Sequence, residues 1–265
     1  MPDRREDQPR EDQPAAELLV EVTVTTDAVR TKTWLSNEIS GSGESGAPMD
    51  LISSTESPLS ALGGAGLGWL TPFVSFLEEP LNQLRGNPGP VTSGARGFDS
   101  AGQDVTAAAD TYRRSTADET GDWSGDAAQG YREAGSQYAD GLAALGESST
   151  TVASALSGAG EVVAQVVEIV VGLVTEAVGK IVPIMTEAVA AAPATFGQSI
   201  AAAIPQCVQI AVDAGQRILG KLAALLSSGQ NLLKLVDGAV AVMGLVTKVL
   251  SRISQQSTQP EEQRS

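Results

Sequence analysis

Histidine is absent from all 265 residues, and cysteine occurs once. Without histidine the chain lacks the commonest general base and the commonest metal ligand. The single Cys207 excludes an internal disulfide and a cysteine-rich metal site, and it reads as a small buried apolar residue. Aromatics make up only 4% of the chain although 42% is hydrophobic, so the core has to be built from Ala, Val, Leu and Ile. That composition suits close-packed helices better than a sandwich or barrel. Basic side chains number 17 against 32 acidic ones, a net charge of −15, so no nucleic-acid-binding patch is expected. A nucleophile elbow, a Gly-x-x-x-x-Gly-Lys phosphate loop and a paired-cysteine metal spacing are all missing. Asp99, Asp104, Glu119 and Glu133 fall on solvated helical positions and read as a wet face. The expectation is a non-enzymatic protein with no catalytic residues, no cofactor and no metal.

The chain divides by composition. Arg5-Glu6-Asp7-Gln8-Pro9 repeats as Arg10-Glu11-Asp12-Gln13-Pro14, too polar to offset its chain entropy by burial. A basic, apolar secretory leader is not present there. Leu18, Val20, Val22 and Val24 alternate with Leu19, Glu21, Thr23 and Thr25, the one strand-like pattern, and with no partner strand it predicts an extended arm. Ser40-Gly41-Ser42-Gly43-Glu44-Ser45-Gly46 reads as a flexible linker. Residues 1–57 are thus predicted to be a disordered or extended arm, 58–88 short leader helices, 89–157 a helical hairpin, 158–254 a hydrophobic helical bundle and 255–265 a disordered tail. The predicted fold class is all-α.

The hairpin is organised around Asp122-Trp123-Ser124-Gly125-Asp126-Ala127-Ala128. Gly125 tolerates turn angles that a β-carbon forbids, Asp122 or Ser124 can cap the next helix, and Trp123 can cover the open end. Upstream, Val91, Ala95, Phe98, Gly102, Val105, Ala109 and Tyr112 alternate spacings of four and three. Downstream, Tyr131, Gly135, Tyr138, Leu142, Leu145, Ser149, Val152 and Leu156 do the same, which is the seam of a two-helix coiled coil. Small residues at Ala95, Gly102, Ala109 and Gly135 let the helices approach, and Phe98, Tyr112, Tyr131 and Tyr138 fill the wider layers.

Trp123-Ser124-Gly125 followed by Asp126-Ala127-Ala128-Gln129-Gly130-Tyr131 resembles the Trp-x-Gly turn of the WXG family, the ESAT-like helical hairpins exported by type VII (ESX) secretion systems of actinobacteria and related Gram-positive bacteria. Gly66-Leu67-Gly68-Trp69-Leu70 and Pro80-Leu81-Asn82-Gln83-Leu84-Arg85-Gly86-Asn87-Pro88 resemble the leader of longer members, of the EspA/EspE type and of the N-terminal domain of CpnT-type toxins. The resemblance implies a secreted or cell-surface protein, cytoplasmic before export, that pairs with a small WXG protein or with itself and engages the secretion machinery. It implies that any toxin activity sits in an additional C-terminal domain, and only a short polar tail follows Ile253. The family's Tyr-x-x-x-Asp/Glu export signal is not matched: Tyr131 reaches Gly135 at that spacing and Tyr138 reaches Leu142. A partner would then supply it.

Beyond the hairpin, Ser157-Gly158-Ala159-Gly160 is expected to loosen or break the helix, and Pro183 to kink or end the next one. A further segment from about 196 to 228 and a last helix from about 231 to 253, separated at Ser228-Gly229, complete the bundle. Residues 162–185 are long enough to cross a bilayer, since ~20 apolar residues suffice. A membrane-inserting or pore-forming protein is therefore the alternative. Glu168, Glu176 and Lys180 form one polar stripe through that span and favour an amphipathic helix in a water-soluble bundle.

Overall fold

The computed structural model describes residues 15–40, 48–54 and 57–258. All regular structure among these residues is helical. In chain order it comprises α1 (Ala15–Arg30), α2 (Asn37–Ser40), α3 (Leu51–Ser54), α4 (Ser60–Gly64), α5 (Thr71–Val74), α6 (Glu79–Leu84), α7 (Pro88–Glu119), α8 (Asp126–Thr195) and α9 (Gln198–Thr258). Two 3₁₀ turns, Gly68–Leu70 and Ser75–Leu77, flank α5. The all-α expectation holds. Of the expected arm at 1–57, linker at 40–46 and tail at 255–265, residues 1–14, 41–47, 55–56 and 259–265 lie outside the described residues, whereas Ser40 ends α2, residues 51–54 form α3 and residues 255–258 continue α9.

The chain forms two compact units. The first contains residues up to Trp34, Thr92–Gly158 and the chain from Asn231 onward. Here α1 corrects the extended-arm reading. Leu18, Val22, Thr26 and Val29 are buried, at spacings of four, four and three. Val20 and Val24 face solvent at 64% and 65% exposure. A period-two run of valines leaves every fourth residue on one helical face, and burial of that face outweighs β-branched propensity. The threonines adapt as well: Thr23, Thr25 and Thr26 each donate to the carbonyl four residues back. Lys32 (φ 55°) closes the helix, with Thr33 N–H donating to the Ala28 carbonyl. Leu18 and Val22 pack with Ala144 of α8 and with Val242 and Val246 of α9.

The second unit contains Leu35–Val91 and Ala159–Gln230. Its short helices contribute Leu62, Leu70, Val74, Leu77 and Leu81 to the core. Val162, Val166, Val170, Val174, Ile181 and Met185 of α8 are buried as well, while Glu168, Glu176 and Lys180 stay outside. Phe196 (φ 51°) and Gly197 (φ 83°) turn the chain from α8 into α9.

Three expected breaks do not occur. Gly158 and Gly160 lie inside α8, and each makes room for a neighbour in its own unit: a β-carbon on Gly158 would touch the Trp34 ring, and one on Gly160 the Met49 side chain. Pro183 also lies inside α8, on its exposed side, between the fully buried Ile181 and Met185. Proline costs a helix ~3 kcal/mol, and two anchored neighbours offset that. Ser228 does not end α9 either. Its buried hydroxyl donates to the Ala224 carbonyl at 2.8 Å and accepts the Ser36 N–H at 3.0 Å. Helix α9 continues to Thr258, past the predicted end at 253.

Candidate functional site: the tip and outer face of the hairpin

Helices α7 and α8 are joined by Thr120–Gly125, where the Trp-Ser-Gly stretch predicts a turn. Gly125 has φ +91°, a conformation L side chains rarely adopt. Its carbonyl accepts the first amide bonds of α8, from Ala128 at 3.1 Å and Gln129 at 3.2 Å. Gly125 is thus itself the residue at the cap position, which corrects the expectation that Asp122 or Ser124 fills it. The reason is geometric, because the required positive φ selects glycine over the better capping side chains. Asp126 in the first turn places a negative charge where the helix dipole favours one.

Trp123 does not seal the hairpin. It is 53% exposed and leans on Tyr131, ring centroids 5.6 Å apart at 46°. The turn is held by Arg132, a residue the sequence reading passed over. Its guanidinium donates from Nε to Thr120 Oγ1 at 3.0 Å and from Nη2 to the Trp123 carbonyl at 2.9 Å. Nη2 also donates to the Thr120 carbonyl. The buried Thr120 hydroxyl donates on to the Thr116 carbonyl at 2.7 Å. Carbonyls at the end of α7 are thereby satisfied by a cation, the charge that end prefers. A sequence signal existed, since Arg132 lies four residues after the buried Ala128 and three before the buried Gly135.

Along the hairpin the small-residue half of the seam is where the spacing puts it. Ala95, Gly102, Ala109 and Thr116 of α7 are buried at a strict interval of seven. Gly102 faces Gly146 of α8 so closely that a β-carbon on Gly102 would sit 2.7 Å from the Gly146 carbonyl oxygen. One on Gly135 would sit 2.6 Å from the Thr116 methyl. Ser149 donates to the Phe98 carbonyl at 2.7 Å.

The aromatic half differs from expectation. Tyr112 and Tyr138 do meet across the hairpin, centroids 4.9 Å apart. Beside them Arg113 pairs with Asp140 at 2.8 Å. Phe98, Tyr112 and Tyr131 nevertheless remain exposed, and Val105 and Tyr138 are half-buried. With glycines and alanines in contact, the helices are too close for rings to lie between them, so the rings are pushed to the rim. Leu145 packs on the cluster that contains Leu18, Val22 and Val246, and Leu142 is half-buried.

Chemically reactive groups do not converge here. Among the described residues no group of three or more His, Cys, Asp and Glu is placed to hold a metal. An open cleft at the base of the hairpin is lined by Thr92, Arg96, Asp99, Ser154 and Ser157 among others. In the second unit Glu176 accepts from Lys180 at 2.6 Å and from Arg217 at 3.1 Å, and those bonds hold its carboxyl below the usual range. Cys207 is fully buried, and that burial pushes its thiol above the usual range.

Comparison with protein-family models, with curated proteins and with solved structures finds no match to this chain.

Proposed function

We propose that this chain is a non-enzymatic, helical substrate of a type VII secretion system, exported with a small WXG-type partner that it meets through its hairpin. The observation that carries the reading is the tip. A Trp-Ser-Gly tripeptide lies between two long helices, its glycine at φ +91° and its tryptophan 53% exposed. A large aromatic left half in water at a rigid turn is an available recognition element.

The partner-binding face follows from what the chain already covers. α1 and α9 pack against α8 at Ala144, so that side of the hairpin is filled from within. What remains open is the rim with Phe98, Tyr112, Tyr131 and Trp123. A partner hairpin laid there would complete the aromatic layers and would carry the Tyr-x-x-x-Asp/Glu signal that this chain lacks. The chain is cytoplasmic before export and extracellular or surface-bound afterwards. The experiment is deletion of the secretion ATPase in the native host. The protein is expected to vanish from the culture medium and accumulate in cells; unchanged extracellular levels would refute the proposal.

A further inference from the structure

The open cleft at the base of the hairpin holds polar groups that the secretion reading does not use. Its floor is Ala95 of α7 and Ala153 of α8, both buried, and these small side chains leave a cavity of about 290 Å³ between the two helices. Small-molecule pockets start at about that size, ~300 Å³. Every lining residue belongs to the first unit. At about 100° per residue, Arg96 and Asp99 fall on one side of Ala95 and Phe98 on the other, so the cleft is separate from the aromatic rim.

Three donor groups open into it without work elsewhere. The first is a guanidinium. The hairpin has four arginines, and three are engaged. Arg113 pairs with Asp110 and Asp140, Arg114 donates to the Asp110 carbonyl, and Arg132 holds the turn. Arg96 is exposed and has no hydrogen bond or ion pair among the described residues. Its nearest acid along the helix, Asp99, accepts from Gln103 at 2.9 Å instead. Sequence order gives the reason. An acid placed before its base, as in Asp110–Arg113, suits the helix dipole, and Arg96–Asp99 runs the other way.

The other two donors are the hydroxyls of Ser154 and Ser157, both half-buried. Just before them on α8, Ser148, Thr150 and Thr151 donate to carbonyls three or four residues back. The Ser154 and Ser157 hydroxyls have no such partner among the described residues, so their protons are free to point into the cleft. A guanidinium fork beside two hydroxyls is a donor set for an oxyanion.

Asp99 limits which oxyanion. Its Oδ2 takes the Gln103 bond, and Oδ1 is left as an acceptor on the cleft wall. A dianion such as phosphate is repelled by this carboxylate at close range and by the net charge of −15 at longer range. A monovalent carboxylate is repelled less, and an amino or hydroxyl group next to it can donate to Asp99. We propose that this cleft binds a small amino or hydroxy carboxylate, its carboxylate held by Arg96, Ser154 and Ser157 and its amino or hydroxyl group donating to Asp99. The proposal stands apart from the secretion reading, and either can fail without the other.

Nuclear magnetic resonance titration of the full-length ¹⁵N-labelled protein tests it, with lactate, alanine, acetate and inorganic phosphate as probes at constant ionic strength. Lactate or alanine is expected to shift the Arg96 Nε–H and the Ser154 and Ser157 amides saturably, with a dissociation constant of about 1 mM. Acetate, which lacks the second group, should bind ~10-fold more weakly, since one hydrogen bond to a charged group is worth that much. Arg96→Gln should weaken lactate or alanine at least ~10-fold for the same reason. Its circular dichroism should match wild type, because Arg96 is exposed and supports no other residue. Asp99→Asn should bring acetate level with the better probe. Absence of saturable shifts with lactate and alanine up to ~50 mM, where even a weak site fills, would overturn the proposal. Binding unchanged in Arg96→Gln would do the same, as would phosphate binding more tightly than either probe or acetate equalling both in the wild-type protein.

Discussion

Gly125 and Trp123 have equal standing in the motif but opposite energetic weight. Gly125 sits at φ +91°, where a β-branched side chain is strained, so Gly125→Val is expected to destabilise the protein by ~1–3 kcal/mol. Trp123 is half in water, and its ring contact with Tyr131 is the interaction at stake, so Trp123→Ala should cost ~1 kcal/mol. Urea denaturation followed by circular dichroism separates the two. A Trp123→Ala loss of ~3–5 kcal/mol, the value for a buried ring, would mean that the tip is packed differently. Glu176 gives a pH-dependent prediction. Its folded pKa lies below the ordinary value of 4.5, held there by hydrogen bonds from Lys180 and Arg217. A depressed carboxyl contributes stability above the unfolded pKa and loses it as pH falls through the folded one. The stability gap between wild type and Glu176→Gln should therefore close on acidification below 4.5. Because the carboxylate is exposed, the gap at neutral pH should be small and shrink with added salt. A gap that widens in acid would contradict these contacts.

The elements were legible where a period and a special residue agree, and illegible where tertiary contacts decide. The hairpin could be read because Trp123-Ser124-Gly125 interrupts two runs of four-three spacing, and Ala95, Gly102 and Ala109 are buried as that spacing requires. The rim position of Phe98 and Tyr112 could not, because it follows from the close approach of Gly102 to Gly146, a residue outside the predicted seam. Arg132 was equally hidden, since its partners are backbone carbonyls that carry no sequence signature. Glycines at 158 and 160 and Pro183 read as breakers, yet their helix continues because each faces a specific neighbour or open solvent. Helix α1 is the plainest case. Its valines fit a strand by alternation and a helix by every fourth residue, and only the core formed with Ala144, Val242 and Val246 decides between them. The two alternatives differ in a measurable way. Val22→Asp should destabilise by several kcal/mol, on the order of 3 or more, because it buries a charge. Val20→Asp should stay within ~0.5 kcal/mol as a surface change. Equal effects at both positions would restore the extended arm.

At the scale of the molecule, the open question is water against lipid. Helix α8 contains an 18-residue window of mean hydropathy 1.9, long and apolar enough by composition to cross a membrane. Half of that window is buried inside the protein, which is what an amphipathic core helix shows. The exposed side of α8 in and next to that window carries Glu168, Glu176 and Lys180, and each charge at mid-bilayer costs ~2.5–3.5 kcal/mol on insertion scales. Glu176 and Lys180 neutralise one another across one turn, and Arg217 joins them from α9, so insertion would also break that pairing. Glu168 would enter uncompensated. Insertion further requires opening the second unit, exposing Val166, Val170, Val174 and Ile181, all fully buried now. These terms add in the same direction, and a net charge of −15 repels the chain from anionic headgroups before any of them applies. The purified protein is therefore expected to leave liposomes intact at neutral pH, in flotation and in dye release alike. Acidification reduces the net negative charge and with it the headgroup repulsion, so any lipid binding should appear first at low pH. Robust leakage at neutral pH would make α8 a membrane-inserting device.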